Sequence, residues 1–237
     1  MRAVNIVGFK NTGKTTLCLS VIEELKRLGL DPAALKFTHQ DGLDKNGTDT
    51  ARLLEASGAA AAIGGCETAV FWKQRRFMAD ILPMLGREML VVEGGKALGV
   101  MPRVVIAAGA AEARELGAGE GGLAIAVHGP EGVDAVPAVT DPAELAGIIA
   151  SRAFLLPGLD CGGCGRNDCR ELAVEIVAGK ASPSDCVAAG GDISVETGGV
   201  PLPLNPFVAR ILKAGIQAML GELKGYAPGE TTIRLRP

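Results

Sequence analysis

Residues 8–15 read Gly8-Phe9-Lys10-Asn11-Thr12-Gly13-Lys14-Thr15, which matches the pattern G-x-x-x-x-G-K-[ST] at every defined position. A short apolar run, residues 3–7, precedes them, and apolar residues at helical spacing follow over residues 16–28. In this order of strand, glycine-rich loop and helix, backbone N–H groups and the positive end of the helix dipole point at an anion. The sequence therefore predicts a phosphate-binding P-loop. The alternative is a glycine-rich turn that carries one exposed lysine.

The residues of this loop have expected tasks in binding a nucleoside triphosphate. Lys14 is expected to reach the β- and γ-phosphates, and Thr15 to ligate Mg²⁺. The residues expected to bind the nucleotide are Gly8, Asn11, Thr12, Gly13, Lys14, Thr15 and Thr16. Lys10 either adds charge to the phosphates or is solvated. The sequence contains no Asn-Lys-x-Asp string, so the motif alone does not separate GTP from ATP.

A P-loop also needs an acidic residue at the end of a neighbouring strand to hold the metal or its water. Glu93 follows the apolar run of residues 89–92 and precedes two glycines. We expect Glu93 to hold Mg²⁺, and Lys14 and Glu93 to be the catalytic residues of any hydrolysis; the alternative is a surface glutamate in a tight turn. Hydrolysis by the protein alone is expected to be slow, because no arginine finger or positioned glutamine is visible in the sequence.

The first 154 residues predict an α/β domain with a mostly parallel sheet. Further apolar runs are short, continuous and bounded by Gly or Pro, as in strands buried on both faces. They lie at residues 89–92, 104–107, 123–127 and 135–139. Asp141 and Pro142 are typical of a helix start and predict a helix that ends near Ala153.

We divide the chain into three parts. Residues 1–154 form the nucleotide-binding domain, residues 155–190 a four-cysteine module, and residues 191–237 a C-terminal extension. The extension is expected to contain a hairpin at residues 193–204, a helix from Pro206 and a final strand at residues 231–236.

Several blocks within the first 105 residues resemble, in the same order, the molybdopterin-guanine dinucleotide biosynthesis protein B (MobB) family. They are residues 8–16, Lys36-Phe37-Thr38-His39, residues 44–52, residues 57–59, and residues 91–96 with Pro102. The resemblance implies a P-loop GTP-binding protein, usually a homodimer. It also implies that the protein assists a separate guanylyltransferase in attaching GMP to molybdopterin.

Asp44 and Asp49 lie in a polar loop where P-loop proteins place a segment that senses Mg²⁺ and the γ-phosphate. For each, a solvated acid or the N-cap of a helix that starts near Thr50 is the alternative. His39 is expected to be a structural or loop residue rather than a metal ligand, because no second ligand lies nearby in the sequence.

Four of the six cysteines fall close together in the second half of the chain: Cys161, Cys164, Cys169 and Cys186. Four thiolates are the full ligand set of either a 4Fe-4S cluster or a tetrahedral Zn²⁺ site. Three ligands in one short loop and a fourth after a helix favour the cluster, because structural zinc sites use two separated pairs. Zinc and free thiols are the alternatives. The other two, Cys18 and Cys66, are expected to be a buried apolar side chain and a lone loop thiol.

The same four cysteines, with Ala173, Ile176 and Gly179 at fixed spacings, resemble the small iron-sulfur module of Rnf-type electron-transport subunits and corrinoid iron-sulfur proteins. This resemblance implies a 4Fe-4S cluster. Residues 203–225 resemble the C-terminal extension of archaeal MobB-like proteins that carry such a segment.

The charge composition of the chain limits the classes of partner that it is expected to bind. With 24 Lys and Arg against 27 Asp and Glu, the formal net charge is −3, which gives no electrostatic basis for binding nucleic acid or an anionic membrane. The first apolar run is too short for a signal peptide, so we expect a cytoplasmic location.

The expected function is that of a GTP-binding adapter or weak GTPase in the biosynthesis of the molybdenum or tungsten pterin guanine dinucleotide cofactor. Its expected partners are a guanylyltransferase or a molybdoenzyme of that pathway, and it is expected to carry a 4Fe-4S cluster. The alternative is a nucleotide-gated electron-transfer or metallocluster-assembly ATPase or GTPase.

Overall fold

The computed structural model describes residues 1–38, 40, 42–43, 47–189, 193–197, 200–227, 229 and 231–233. Its strands are β1 (Arg2–Val7), β2 (Pro32–Lys36), β3 (Ala59–Ile63), β4 (Thr68–Trp72), β5 (Met89–Glu93), β6 (Arg103–Ile106), β7 (Ala124–His128), β8 (Val195–Thr197) and β9 (Val200–Leu202). Its helices are α1 (Lys14–Arg27), α2 (Asp49–Ser57), α3 (Met78–Leu85), α4 (Ala110–Glu115), α5 (Pro142–Arg152), α6 (Cys169–Val177) and α7 (Pro206–Gly221).

Five strands form the main sheet, in the order β2-β5-β1-β6-β7, and every pair in it is parallel. The predicted α/β fold with a mostly parallel sheet is confirmed. Buried side chains of α1 and α5 pack with those of β1, β5 and β7 in one core. Because parallel strands end at the same edge, the loop after β1 lies beside the end of β5, where Ile6 is the register partner of Glu93.

The strand predicted at residues 135–139 is wrong. Only isolated bridges form there, between Val127 and Ala138 and between Val133 and Val136. Val133 and Val136 exchange two backbone hydrogen bonds of 3.0 and 2.8 Å, which closes a tight turn. Pro137, inside the run, has no N–H to extend a ladder.

A hairpin of β3 and β4, which the sequence analysis did not predict, forms a separate antiparallel sheet. No residue of α2, β3, β4 or α3 is fully buried. Asp49 is not the N-cap of α2: the hydroxyl of Thr48 accepts from the N–H of Ala51 at 3.1 Å, and Asp49 lies in the first turn.

The C-terminal extension follows the prediction in part. β8 and β9 pair antiparallel as the expected hairpin, and α7 begins at Pro206 after an Asn205 cap. Residues 231–233 are not in a strand, and the rest of the strand predicted there lies outside the described residues. No described helix combines the length and apolar character that crossing a bilayer would need.

The four-cysteine segment packs directly on the main sheet. Leu155 packs against buried residues of β1 and β5. Phe154 and Leu156, on either side of it, are buried with Leu123, just before β7, and with the ligand candidates Cys169 and Cys186. The expectation that this apolar stretch packs against the sheet is confirmed, and the domain boundaries stay predictions.

Candidate functional site

The loop between β1 and α1 is folded tightly on itself. Gly13, which precedes α1, has a φ of 81°, and Asn11 has a φ of 63°; glycine adopts this left-handed region freely and asparagine tolerates it. A Cβ on buried Gly8 would lie 2.6 Å from the Thr12 hydroxyl oxygen. That hydroxyl donates to the carbonyl of Phe9 at 3.0 Å. The loop therefore has the closed shape that a P-loop needs.

The first turn of α1 is open to a ligand. Among the described residues, no side chain accepts a hydrogen bond at this N-terminus, so its backbone N–H groups and positive dipole end remain for an anion. Lys14 is half-buried, and its ammonium donates to the Phe9 carbonyl on the other side of the loop. Thr15 and Thr16 are exposed beside it.

Glu93 lies next to this loop, as predicted. The Thr15 hydroxyl lies 3.0 Å from Oε1 and 2.9 Å from Oε2 of Glu93, whose side chain is only 13% exposed. A third group, the Lys36 ammonium, lies 2.8 Å from Oε1. A hydroxyl and a carboxylate together supply the oxygen ligands that Mg²⁺ prefers. The structure thus brings Thr15 and Glu93 together and adds Lys36, to which the sequence analysis assigned no task.

The two cysteines outside the four-cysteine segment are as predicted. Cys18 is buried in the core under α1, and Cys66 is exposed. Burial, and to a lesser extent the negative charge of Glu93, raises the pKa of the Cys18 thiol to about 12. Cys18 is therefore a neutral packing residue at physiological pH.

Asn5, in the middle of β1, holds the backbone around Glu93 in place. It is 1% exposed, and its amide donates to the carbonyl of Gly94 and, at 3.3 Å, to that of Val92. This side chain fixes the chain on both sides of Glu93. Asn5 was not predicted as a site residue, although a polar residue inside a buried apolar run is itself a signal.

Arg103 holds the loop that joins β5 to β6. Its buried guanidinium donates to the carbonyls of Leu98 (2.8 Å), Lys96 (3.2 Å) and Leu116 (3.0 Å), and burial lowers its pKa to about 10. The Lys96 ammonium then lies 3.9 Å from the centre of the Phe9 ring in the P-loop. The loop after Glu93 is thus fixed against the phosphate-binding loop.

The four predicted cluster ligands line one pocket. Cys169 and Cys186 are buried, Cys164 is half-buried and Cys161 is exposed. In the described parts of the chain, no three His, Cys, Asp or Glu side chains are already arranged around a common metal position. The remaining lining is largely apolar and consists of Pro157, Leu159, Gly162, Asp168, Leu172, Val187 and Ala188. Four thiols in an apolar pocket form a donor set that fits an iron-sulfur cluster.

Two charged residues shape the ligand loop. Arg166 donates to the carbonyl of Cys164 at 3.0 Å and to Oε2 of Glu175 at 2.6 and 3.1 Å, which ties the loop to α6. Asp160 accepts from the N–H of Cys169 at 2.8 Å. Burial raises the pKa of the Cys169 thiol.

The β5–β6 loop also packs against the four-cysteine segment, where Val100 contacts the apolar cluster that includes Cys169 and Cys186. A Cβ on Gly99 would lie 2.9 Å from the Cβ of Arg170 on α6, and the N–H of Leu156 donates to the carbonyl of Val100 at 2.9 Å.

The ligand loop also packs against the start of α7. Gly163 fits closely there, because a Cβ on it would lie 2.6 Å from Pro206.

Two family models match different parts of the chain. The family model described as "Molybdopterin guanine dinucleotide synthesis protein B" matches residues 3–127, more than half of the chain. The chain belongs to the MobB family. A second model, described as "Putative Fe-S cluster", matches residues 156–188 and so contains all four ligand candidates.

Relatives of this MobB-family chain extend over different parts of it. A Methanocaldococcus jannaschii protein named "Putative molybdopterin-guanine dinucleotide biosynthesis adapter protein" is 32% identical over 95% of this chain and 93% of its own. A crystal structure of Bacillus subtilis MobB covers 64% of this chain and 97% of its own, with 21% identity and a TM-score of 0.52. That structure supports the MobB fold.

The remaining candidate residues of this MobB-family chain are Lys10, His39, Asp44 and Asp49. His39 and Asp44 lie outside the described residues. The Asp49 carboxylate is 95% exposed and pairs with Arg52 at 3.4 Å within α2. Lys10 is exposed on the P-loop.

Proposed function

We propose that this protein is a GTP-binding adapter that assists a guanylyltransferase in attaching GMP to molybdopterin. The observation that carries the proposal is the gathering of Lys14, Thr15 and Glu93 at one sheet edge. It is supported by membership of the MobB family and by 32% identity to a relative named as an adapter of this pathway.

In the proposed site, the backbone N–H groups of residues 11–16 and the Lys14 ammonium bind the phosphates. Thr15 and Glu93 are the proposed ligands of Mg²⁺, which neutralises phosphate charge when bound. Asn5 and Arg103 hold the chain that carries Glu93. GTP is the proposed nucleotide, because the proposed partner transfers a guanylyl group.

For the second site we propose a 4Fe-4S cluster held by Cys161, Cys164, Cys169 and Cys186. Such a cluster supplies one-electron chemistry or a structural cross-link. The support is the pocket that the four thiols share and the match to the iron-sulfur family model. Arg166 would position the Cys164 end of the loop against α6, through its bonds to the Cys164 carbonyl and to Glu175.

A purified molybdopterin guanylyltransferase tests the adapter function. We expect this protein to co-elute with the transferase in the presence of GTP and Mg²⁺, and to increase formation of the guanine dinucleotide product. ATP in place of GTP should give neither effect. No effect with GTP, or fast hydrolysis of GTP without the transferase, would contradict the adapter function.

We also propose that the protein is a homodimer that uses the β3–β4 hairpin. This segment is unusually apolar for an exposed position: Ile63 is 86% exposed and Phe77, just before α3, is 79% exposed. A two-stranded sheet with no fully buried residue is marginal in water, and its strand edges can pair with a second copy.

Light scattering after size exclusion measures the oligomeric state. We expect twice the chain mass for the native protein and for Met219→Glu, which places a charge on the exposed face of α7. Ile63→Glu should give the mass of one chain. A native monomer, or loss of the dimer in Met219→Glu alone, would contradict the hairpin interface.

A further inference from the structure

The carboxylate of Glu93 is paired with a side-chain ammonium. Lys36 Nζ lies 2.8 Å from Glu93 Oε1 and 3.4 Å from the Thr15 hydroxyl oxygen. The ammonium therefore contacts both side chains that are proposed to hold the divalent ion.

The fold builds this contact in. β2 and β5 pair in parallel with Lys36 directly opposite Glu93, so the two side chains leave the sheet on the same face. Lys36 ends β2, which is an edge strand of the sheet. Its side chain is 56% exposed, whereas that of Glu93 is 13% exposed. The ammonium can swing into solvent on its flexible stem, and the carboxylate is held in place.

We propose that Lys36 is a tethered counter-ion that occupies the cation position between Thr15 and Glu93 until a divalent ion arrives with nucleotide. An ammonium and a divalent ion repel each other and use the same oxygen atoms, so the ion has to displace the lysine. Until the divalent ion binds, the Lys36 ammonium supplies the positive partner that the poorly exposed carboxylate of Glu93 needs.

This arrangement makes binding of the divalent ion depend on whether nucleotide is present. Free Mg²⁺ has to compete with Lys36 for a single carboxylate, whereas an ion already bound to a triphosphate brings negative charge that offsets the loss of the lysine contact. Lys36 thus favours loading of the ion together with nucleotide over binding of the ion alone. The inference rests on the proposed nucleotide site.

The experiment measures Mn²⁺ binding to the purified protein without nucleotide, from the electron paramagnetic resonance signal of the free ion. Lys36→Met removes the ammonium and keeps an unbranched side chain. It is compared with Lys36→Arg, which keeps the charge, and with Lys10→Met, which makes the same change of net charge on an exposed P-loop residue. Melting curves establish that each variant is folded, and Lys36→Gln replaces Lys36→Met if the latter is not.

We expect Lys36→Met to bind Mn²⁺ about 10-fold more tightly than the native protein, while Lys36→Arg and Lys10→Met stay within about 2-fold of it. Adding Glu93→Gln to Lys36→Met should remove the gain. Unchanged or weaker binding by Lys36→Met would overturn the proposal and leave a purely structural ion pair, and an equal gain in Lys10→Met would reduce it to a general charge effect. Because no nucleotide is present, this outcome is independent of whether the protein binds GTP.

Discussion

Lys14→Ala is expected to weaken binding of GTP at least about 100-fold, the effect of losing charge-assisted hydrogen bonds to the β- and γ-phosphates. The fold should survive, because the described contact of the Lys14 ammonium is one hydrogen bond to the Phe9 carbonyl, and the site opens to solvent. Calorimetric titration with GTP and Mg²⁺ measures the affinity, and the melting temperature measures the fold.

Lys10→Ala is the matched control, since it removes the same charge from the same loop. Lys10 is exposed, and we expect its removal to change the affinity less than about 5-fold, as a screened surface charge would. Equal losses in both variants would mean that the loop acts through its total charge. Unchanged affinity in Lys14→Ala would contradict the P-loop itself.

Cys164→Ser is expected to abolish the cluster. The native protein purified without oxygen should be brown and hold about four iron atoms per chain, with negligible zinc, because four thiolates are the ligand set of one 4Fe-4S cubane. Cys164 lies at the centre of the ligand loop, where Arg166 holds its carbonyl. Iron content and visible absorbance measure the loss.

Two other cysteine variants sharpen this result. Cys66→Ser changes the exposed thiol outside the pocket and should keep the full iron content. Replacing Cys186 should leave a labile cluster, because the other three ligands lie within one loop. Colourless native protein with one zinc ion per chain, or iron retained in Cys164→Ser, would contradict the assignment of the cluster.

Three features could be predicted because a short contiguous pattern in the sequence indicates each of them. They are the P-loop, the position of Glu93 and the four-cysteine segment. Backbone requirements at Gly8 and Gly13 and thiol spacing act locally, so the sequence displays them directly. Buried parallel strands could also be predicted, because they appear in the sequence as continuous apolar runs. The run at residues 135–139 gave a wrong prediction, because Pro137 and a tight turn interrupt it.

What the sequence did not reveal depends on contacts between distant residues. Lys36 meets Glu93 only through the register of β2 on β5, and Arg103 meets its three carbonyls only after the β5–β6 loop has folded. The β3–β4 hairpin was missed for another reason. Its first strand, at residues 59–63, is almost entirely alanine, which has little intrinsic preference for strands.

The apolar contact that joins Leu123 and Phe154 to Cys169 and Cys186 has a consequence for how such proteins change over generations. Two of the candidate cluster ligands, Cys169 and Cys186, are at the same time packing residues against Leu123, which directly precedes β7 of the nucleotide-binding half. The four-cysteine half therefore completes its interior with Leu123, whereas the nucleotide-binding half has a core around Val105 and Val127 that is made of its own residues alone. A module of this kind in another chain needs a side chain that takes the place of Leu123, and substitutions that reshape this contact from one side have to be matched from the other.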